Sequence, residues 1–243
     1  MKNFVLYKGP SVLDGAPIVV LAVVKSSNAK TGSMVQTYIL RDDVNPVEAS
    51  QTGNDQSVCG NCPLRQGIGG ACYVNIGQGP NSAWKAYKRG NYAEPSLNEV
   101  SELLRNKAVR LGSYGDPAAV PFDVWSIALK NIRFNTGYTH QAKHANFDAR
   151  ILKWCMVSAE TAKQAQEYHR QGYRTFRVIG ENNDRFDNEF ECLSDDKGLT
   201  CLECKACDSA LTSVKSVTVT AHGSRGKKHS QKYHNANLIA IGG

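Results

Sequence analysis

Seven of the eight cysteines fall into two groups whose spacing suits capture of a metal centre. In ECLSDDKGLTCLECKACD, residues 191–208, Cys201, Cys204 and Cys207 recur every third residue, and Cys192 stands a short loop upstream. Cys59, Cys62 and Cys72 repeat the pattern in VCGNCPLRQGIGGACYVN. Thiolates are soft ligands, and two intervening residues let the chain curl so that successive sulfurs face one centre, as iron–sulfur and zinc sites both require. Only Cys155 stands apart, and it reads as a small buried hydrophobe inside a strand.

The spacing favours a cubane 4Fe–4S cluster, with Zn2+ as the alternative cofactor. Bacterial ferredoxin ligation runs C-x2-C-x2-C and then, three residues on, Cys-Pro. Cys201, Cys204 and Cys207 meet the first part, but position 211 is Leu. The fourth ligand therefore comes from Cys192 or from the first group, where Cys62-Pro63 supplies a Cys-Pro step. Structural zinc sites prefer two separated CxxC pairs, or Cys mixed with His. Two arrangements stay open. The groups bind separately, Cys192, Cys201, Cys204 and Cys207 closing one site while Cys59, Cys62 and Cys72 leave a metal with an open position, or they mix their ligands around one centre. A centre with three protein ligands offers a Lewis acid, whereas a fully ligated one transfers electrons or holds the fold.

An open iron would give four further residues candidate catalytic roles. Asp116 or Glu160 would serve as general base; His140 or His222 would titrate near neutral pH or donate a hydrogen bond to a bound anion. Each has a plainer reading. Asp116 precedes Pro117 and can shape a turn, Glu160 can favour a helix N-terminus, and either histidine can be an ordinary loop residue.

The elements that must position these groups change character along the chain. Pro17–Val24 and Met34–Leu40 are β-branched runs that read as an antiparallel pair, followed by a turn-rich segment from Asn45 to Gly60. From Ser96 helix and strand alternate. Ser96 with Glu99 makes a capping box for a helix with Leu97, Val100, Leu103 and Leu104 on one stripe. Strands are expected at Val109–Gly112, Phe134–Thr139, Trp154–Ser158, Thr175–Ile179 and Val217–Ala221, with helices at Phe122–Asn131 and from Thr161 to Gly172. This predicts an α/β fold, a (βα) barrel or partial barrel of parallel strands, with an N-terminal antiparallel β segment and cysteine-rich metal-binding loops. Within a single domain, 1–243, the parts are a β-rich segment 1–58, a first cysteine loop 59–95, the βα region 96–222 carrying the loop 191–208, and a basic tail 223–243. Polar residues gather after the strands: Ser113 to Asp116, Thr139 to Gln141, Ser158 and Glu160, Glu181, and His222. Parallel sheets present their ligands at those carboxyl ends.

The 41% hydrophobic content is ordinary for a globular chain, and no apolar run is long enough to span a bilayer. MKNFVLYKGPSVLDG lacks the charged-then-apolar pattern of a secretory signal, so a reducing, cytoplasmic setting is expected, in which clustered thiols bind metal rather than pair. The net charge of +7 mildly favours acidic partners. The tail from His222 through Arg225, Lys227, Lys228, Lys232 and His234 could contact nucleic acid, as could the aromatic-basic stretch Trp84 to Arg89, although Trp84 and Tyr87 are three apart and also read as a helix packing face.

The segments CGNC with GACYVN, SAWKAYKRGNY, VRLGSYGDPAAVP, TGYTHQ, CMVSAET, GYRTFRV, the CxxCxxC run and VTVTAHG resemble a family of uncharacterised cysteine-rich proteins carried by bacteriophages and plasmids. The resemblance covers most of the chain from Cys59 to His222 and implies a barrel-like fold with thiolate-bound metal, placed in a host cytoplasm; it implies no particular activity. A more distant likeness is to the partial barrels of radical S-adenosylmethionine enzymes. Their cluster loop is C-x3-C-x2-C, whereas here Cys59-x2-Cys62 is separated by nine residues from Cys72, so the analogy is one of fold.

These observations predict an iron–sulfur protein with its cluster at the mouth of a TIM-like barrel, acting as a lyase or hydrolase on a small sulfur-containing or anionic substrate. The alternatives are a zinc-stapled nucleic-acid-binding module and a structural or host-interaction protein whose metal stabilises a loop-rich lobe.

Overall fold

The computed structural model describes residues 2–26, 28–180, 185–211 and 214–221. It opens with three strands, β1 (Phe4–Pro10), β2 (Pro17–Val23) and β3 (Val35–Arg41), paired antiparallel in the order β1-β2-β3. The β-branched runs set this meander, because Ile18, Val19, Val20 and Leu21 have no solvent exposure and so bury both faces of β2. The expected β2–β3 pair is present, with Val20 opposite Ile39; β1 is an additional strand at its edge.

The segment read as turn-rich contains two short helices, α1 (Pro46–Thr52) and α2 (Gln56–Cys59). Asn45 caps α1 by accepting from the Val47 and Glu48 amides, and Gly53 ends it at φ +82°. Helix α3 (Gly79–Lys88) follows the first cysteine loop. Tyr87 donates its hydroxyl to Asp42 and Trp84 donates Nε1 to the Arg41 carbonyl, so both aromatics pin α3 to the end of β3.

The second half alternates as expected. Helix α4 (Leu97–Leu103) carries the full Ser96–Glu99 capping box, and β4 (Ala108–Tyr114) runs parallel to β3. Helix α5 (Phe122–Ala128) stops short of the expected Asn131, its last turn closed by the Leu129 amide. The run Phe134–Thr139 is two strands, not one: β5 (Phe134–Thr136) pairs with β4, and after Gly137 β6 (Tyr138–Thr139) pairs with β7 (Met156–Ala159). Cys155 lies just before β7 rather than inside it, yet it is buried as a small core residue. Helix α6 (Ala162–Arg170) starts on its Thr161 cap and precedes β8 (Thr175–Ile179). Then come β9 (Glu189–Glu191), absent from the sequence expectation, α7 (Leu193–Lys197), α8 (Cys201–Cys204) and β10 (Ser216–Thr220).

The result is a mixed α/β fold of two sheets, β1-β2-β3-β4-β5 and β6-β7-β8-β10-β9, the second wholly parallel. The chain passes from one to the other at Gly137. Among the described residues no ladder joins β9 to β1, so closure into a barrel is not seen in the strand pairing. The larger core lies behind the first sheet around fully buried Trp125, Ile18, Leu21 and Leu40. A smaller one forms between α6 and the second sheet from Val157, Ala159, Ala165 and Tyr168. No helix among the described residues is long and apolar enough to cross a membrane.

Candidate metal centre

Side chains alternate across a strand, so residues two apart share a face. On β4 Arg110, Gly112 and Tyr114 face one way, and Tyr138, Ser158, Phe176 with Val178, and Val219 do so from β6, β7, β8 and β10. Both cysteine groups close over this face in two adjoining clefts. The first, of about 160 Å³, is lined by Cys59, Cys62 and Cys72 with Asp116, His140 and Glu160. The second, of about 110 Å³, is lined by Cys192, Cys201 and Cys207 with Lys30 and Arg110. Leu64, Tyr73, Tyr138, Phe176 and Val178 line both.

The first loop is fastened from below. Arg65 is buried and donates to Asp55, to the Gly60 carbonyl and to the Gly53 carbonyl, while the Cys72 amide donates to the Leu64 carbonyl at 2.8 Å. Gln141, with no solvent exposure, donates Nε2 to the Cys59 carbonyl at 2.9 Å and accepts from the Asn61 amide at 3.0 Å. A side chain at Gly60, which sits at φ +51°, would collide with that Gln141 amide.

The second loop is held by different contacts. Thr200 and Glu203 form a capping box for α8, the Cys201 amide donates to the Lys30 carbonyl at 2.9 Å, and Lys205 takes a left-handed conformation at φ +57°. Arg174 donates to the carbonyls of Ala206, Asp208 and Lys215, gathering the chain after Cys204. The Cys192 amide donates to the Thr218 carbonyl at 2.7 Å, tying that cysteine to β10.

All eight cysteines are free thiols, and the seven clustered ones are partly exposed. Their electrostatics separate by group. Burial first, then Cys62, Asp55, Cys72 and Asp116, push the Cys59 thiol well above its ordinary range. Burial pushes Cys207 up to about 12, helped by Cys192, Cys201 and Cys204 and opposed by a hydrogen bond from Tyr138. Arg110 stands beside Cys201 and Cys207, its charge favoured chiefly by Tyr73, whose hydroxyl it meets at 2.7 Å. Tyr138 and Phe176 stack with ring centroids 4.2 Å apart.

Of the expected catalytic residues, three reach the first cleft. Burial disfavours a charged His140, but Cys62 and Glu160 outweigh it and raise its pKa to about 10. Its Nε2 lies 2.9 Å from Glu160 Oε1. Asp116 is buried with its oxygens already committed: Oδ1 accepts from the Ala118 amide, and Oδ2 from the His140 amide and from Gln141. His222, Glu181 and the basic tail lie outside the described residues. Gln141 stands among the polar strand-end residues singled out from the sequence, but without its fastening role; sequence reasoning missed Arg110, Tyr138 and Arg174, and only the alternation of Arg110 with Gly112 and Tyr114 along one strand hinted at an inward face.

Soft sulfur donors line both clefts, Cys59, Cys62 and Cys72 the first and Cys192, Cys201 and Cys207 the second, where the Arg110 guanidinium also lies. Among the described residues no three His, Cys, Asp or Glu side chains are disposed as they stand to hold a single metal ion. No protein-family model matches the chain, and comparisons with curated proteins and with solved structures found no match.

Proposed function

We propose that the chain binds iron–sulfur clusters, most simply one of the 4Fe–4S type at each cysteine group, at the mouth of a partial (βα) barrel in a host cytoplasm. The observation that carries this reading is the convergence of the two thiol groups on adjoining clefts over one sheet face. The resemblance to cysteine-rich phage and plasmid proteins is consistent with it. Bound by Cys59, Cys62 and Cys72 alone, such a centre supplies an open iron as a Lewis acid, the requirement of a lyase or hydrolase.

The chain's own residues then divide the work. His140 faces the first cleft, held by Glu160, and its ring is the group best placed to give a proton to a small sulfur-containing or anionic substrate. Glu160 fixes the ring and would keep the imidazolium charged. Asp116, its oxygens accepting three N–H bonds, shapes the wall rather than moving a proton. Tyr114, Tyr138, Phe176 and Val178 give the cleft a largely apolar wall. The zinc-stapled nucleic-acid reading has less support, because Trp84 and Tyr87 pack against β3.

Anaerobic purification with iron, zinc and sulfide analysis tests the proposal. A brown protein carrying iron and labile sulfide is expected, with Cys72→Ala and Cys204→Ala each removing a separate share. A colourless protein with stoichiometric zinc overturns it.

A further inference from the structure

Among the described residues no Asp or Glu lines the second cleft, yet two cations do, beside the apolar walls of Leu64, Phe176, Val178 and Val219. Lys30 is already paired with Asp195 at 2.8 Å. Arg110 is not so matched: its guanidinium donates to the Tyr73 hydroxyl at 2.7 Å, an uncharged acceptor, and among the described residues it makes no ion pair. A part-buried guanidinium against apolar walls calls for an anion, because a charge drawn out of water without a counter-charge is costly.

We propose that Arg110 is the anchor of a ligand site, binding the carboxylate of a small organic acid whose apolar body lies along Phe176 and Val178. The class follows from counting charges. One unmatched guanidinium presents a planar fork that fits one carboxylate through two hydrogen bonds. A phosphate dianion would keep a surplus charge, since Lys30 is held by Asp195. Phe176, Val178 and Leu64 line the first cleft as well, so a body anchored at Arg110 extends along a wall shared with His140. The inference deepens the anionic-substrate part of the reading above and rests on it only for what happens at His140; the contact at Arg110 is made by protein side chains alone.

The test is isothermal titration calorimetry of anaerobically prepared full-length protein with 4-phenylbutanoate as the probe. Binding is expected, with the uncharged 4-phenylbutanamide and with acetate, which lacks the apolar body, each weaker by about tenfold or more. Arg110→Gln should weaken the acid by the same factor and leave the amide unchanged, while Arg110→Lys recovers part of the loss. Arg105→Gln, which removes the same charge from an exposed pair with Glu102, should change nothing. If Arg110→Gln fails to fold, phenylglyoxal labelling of the native protein takes its place: 4-phenylbutanoate should protect Arg110, as read by mass spectrometry. No binding of the acid, equal binding of acid and amide, or an Arg110→Gln protein that keeps its affinity while losing metal overturns the inference, the last making the guanidinium a partner of the thiolates. A brown, iron-bearing protein with any of those results leaves the iron–sulfur reading standing; a colourless zinc protein that binds the acid through Arg110 overturns that reading alone.

Discussion

Gln141 Nε2 donates to Asp116 Oδ2 at 3.1 Å, and the same nitrogen reaches the Cys59 carbonyl, so one buried amide joins the carboxyl end of β6 to the first cysteine loop. An aspartate that looks like a general base in the sequence is thereby made part of a scaffold. Gln141→Ala leaves Asp116 Oδ2 with a single donor, His140 N–H, and strips the Asn61 amide of its acceptor in a part-buried setting. The expected cost is about 2–3 kcal/mol in urea unfolding. On the proposed iron–sulfur reading, iron bound through Cys59, Cys62 and Cys72 should fall while that of the other group persists; equal loss from both would show that the amide serves the whole fold.

Arg174 plays the matching part under the second loop. Three carbonyls, of Ala206, Asp208 and Lys215, depend on its guanidinium. Arg174→Gln should destabilise by about 2–4 kcal/mol and speed hydrogen exchange of the amides from 205 to 209 before those of β8. Unchanged exchange there would mean that the capping box of α8 suffices.

Helix α3 is anchored electrostatically as well as by its aromatics. Burial raises the Asp42 pKa, but hydrogen bonds from Lys88 and Tyr87 and the charges of Lys88 and Lys8 outweigh it and hold the carboxyl below its ordinary 3.8. A depressed carboxylate contributes stability that is present above its ordinary value and lost as pH falls through the lowered one. Because Lys8 and Lys88 are exposed, the contribution is under about 1 kcal/mol. Asp42→Asn should therefore flatten the acid end of the stability–pH curve, measured by thermal melts from neutral to acid pH, with the neutral plateau slightly lowered.

The parts of the fold that sequence made legible are those fixed by local chemistry. The Ser96–Glu99 box, the Thr161 cap and the β-branched runs of β2, β3 and β8 each depend on neighbours within a few residues. Strand β9 was not legible, because it is only three residues long and two of them are glutamates, and Glu189 is accommodated in the buried sheet by its ion pair with fully buried Arg177 of β8. The site divides in the same way. Cysteine spacing marks both loops, but Gln141, Arg174 and Tyr138 acquire their roles across distances in sequence that no periodicity records.

Gly137 is the sharpest case of a role invisible in the sequence, and it supplies a last prediction. The run Phe134–Thr139 has the pattern of one strand, yet the chain must leave β4 and join β7 between Thr136 and Tyr138. At that step the backbone passes so close to its neighbours that a Cβ on Gly137 would sit 2.7 Å from the Trp154 carbonyl oxygen and 2.9 Å from Cys155 Sγ. Backbone and a packed core sulfur cannot yield cheaply, so Gly137→Ala should cost about 1–3 kcal/mol, whereas Gly77→Ala, whose Cβ would meet only Asn75 Oδ1 at 3.6 Å, should cost far less. Relief of the clash by moving β6 would carry Tyr138 away from Cys207 and widen the wall between the clefts. The Gly137→Ala protein should then show a disturbed near-ultraviolet signal from the Tyr138–Phe176 stack as well as a lower melting temperature; an unperturbed signal at native stability would mean that the two sheets can part at this point without strain.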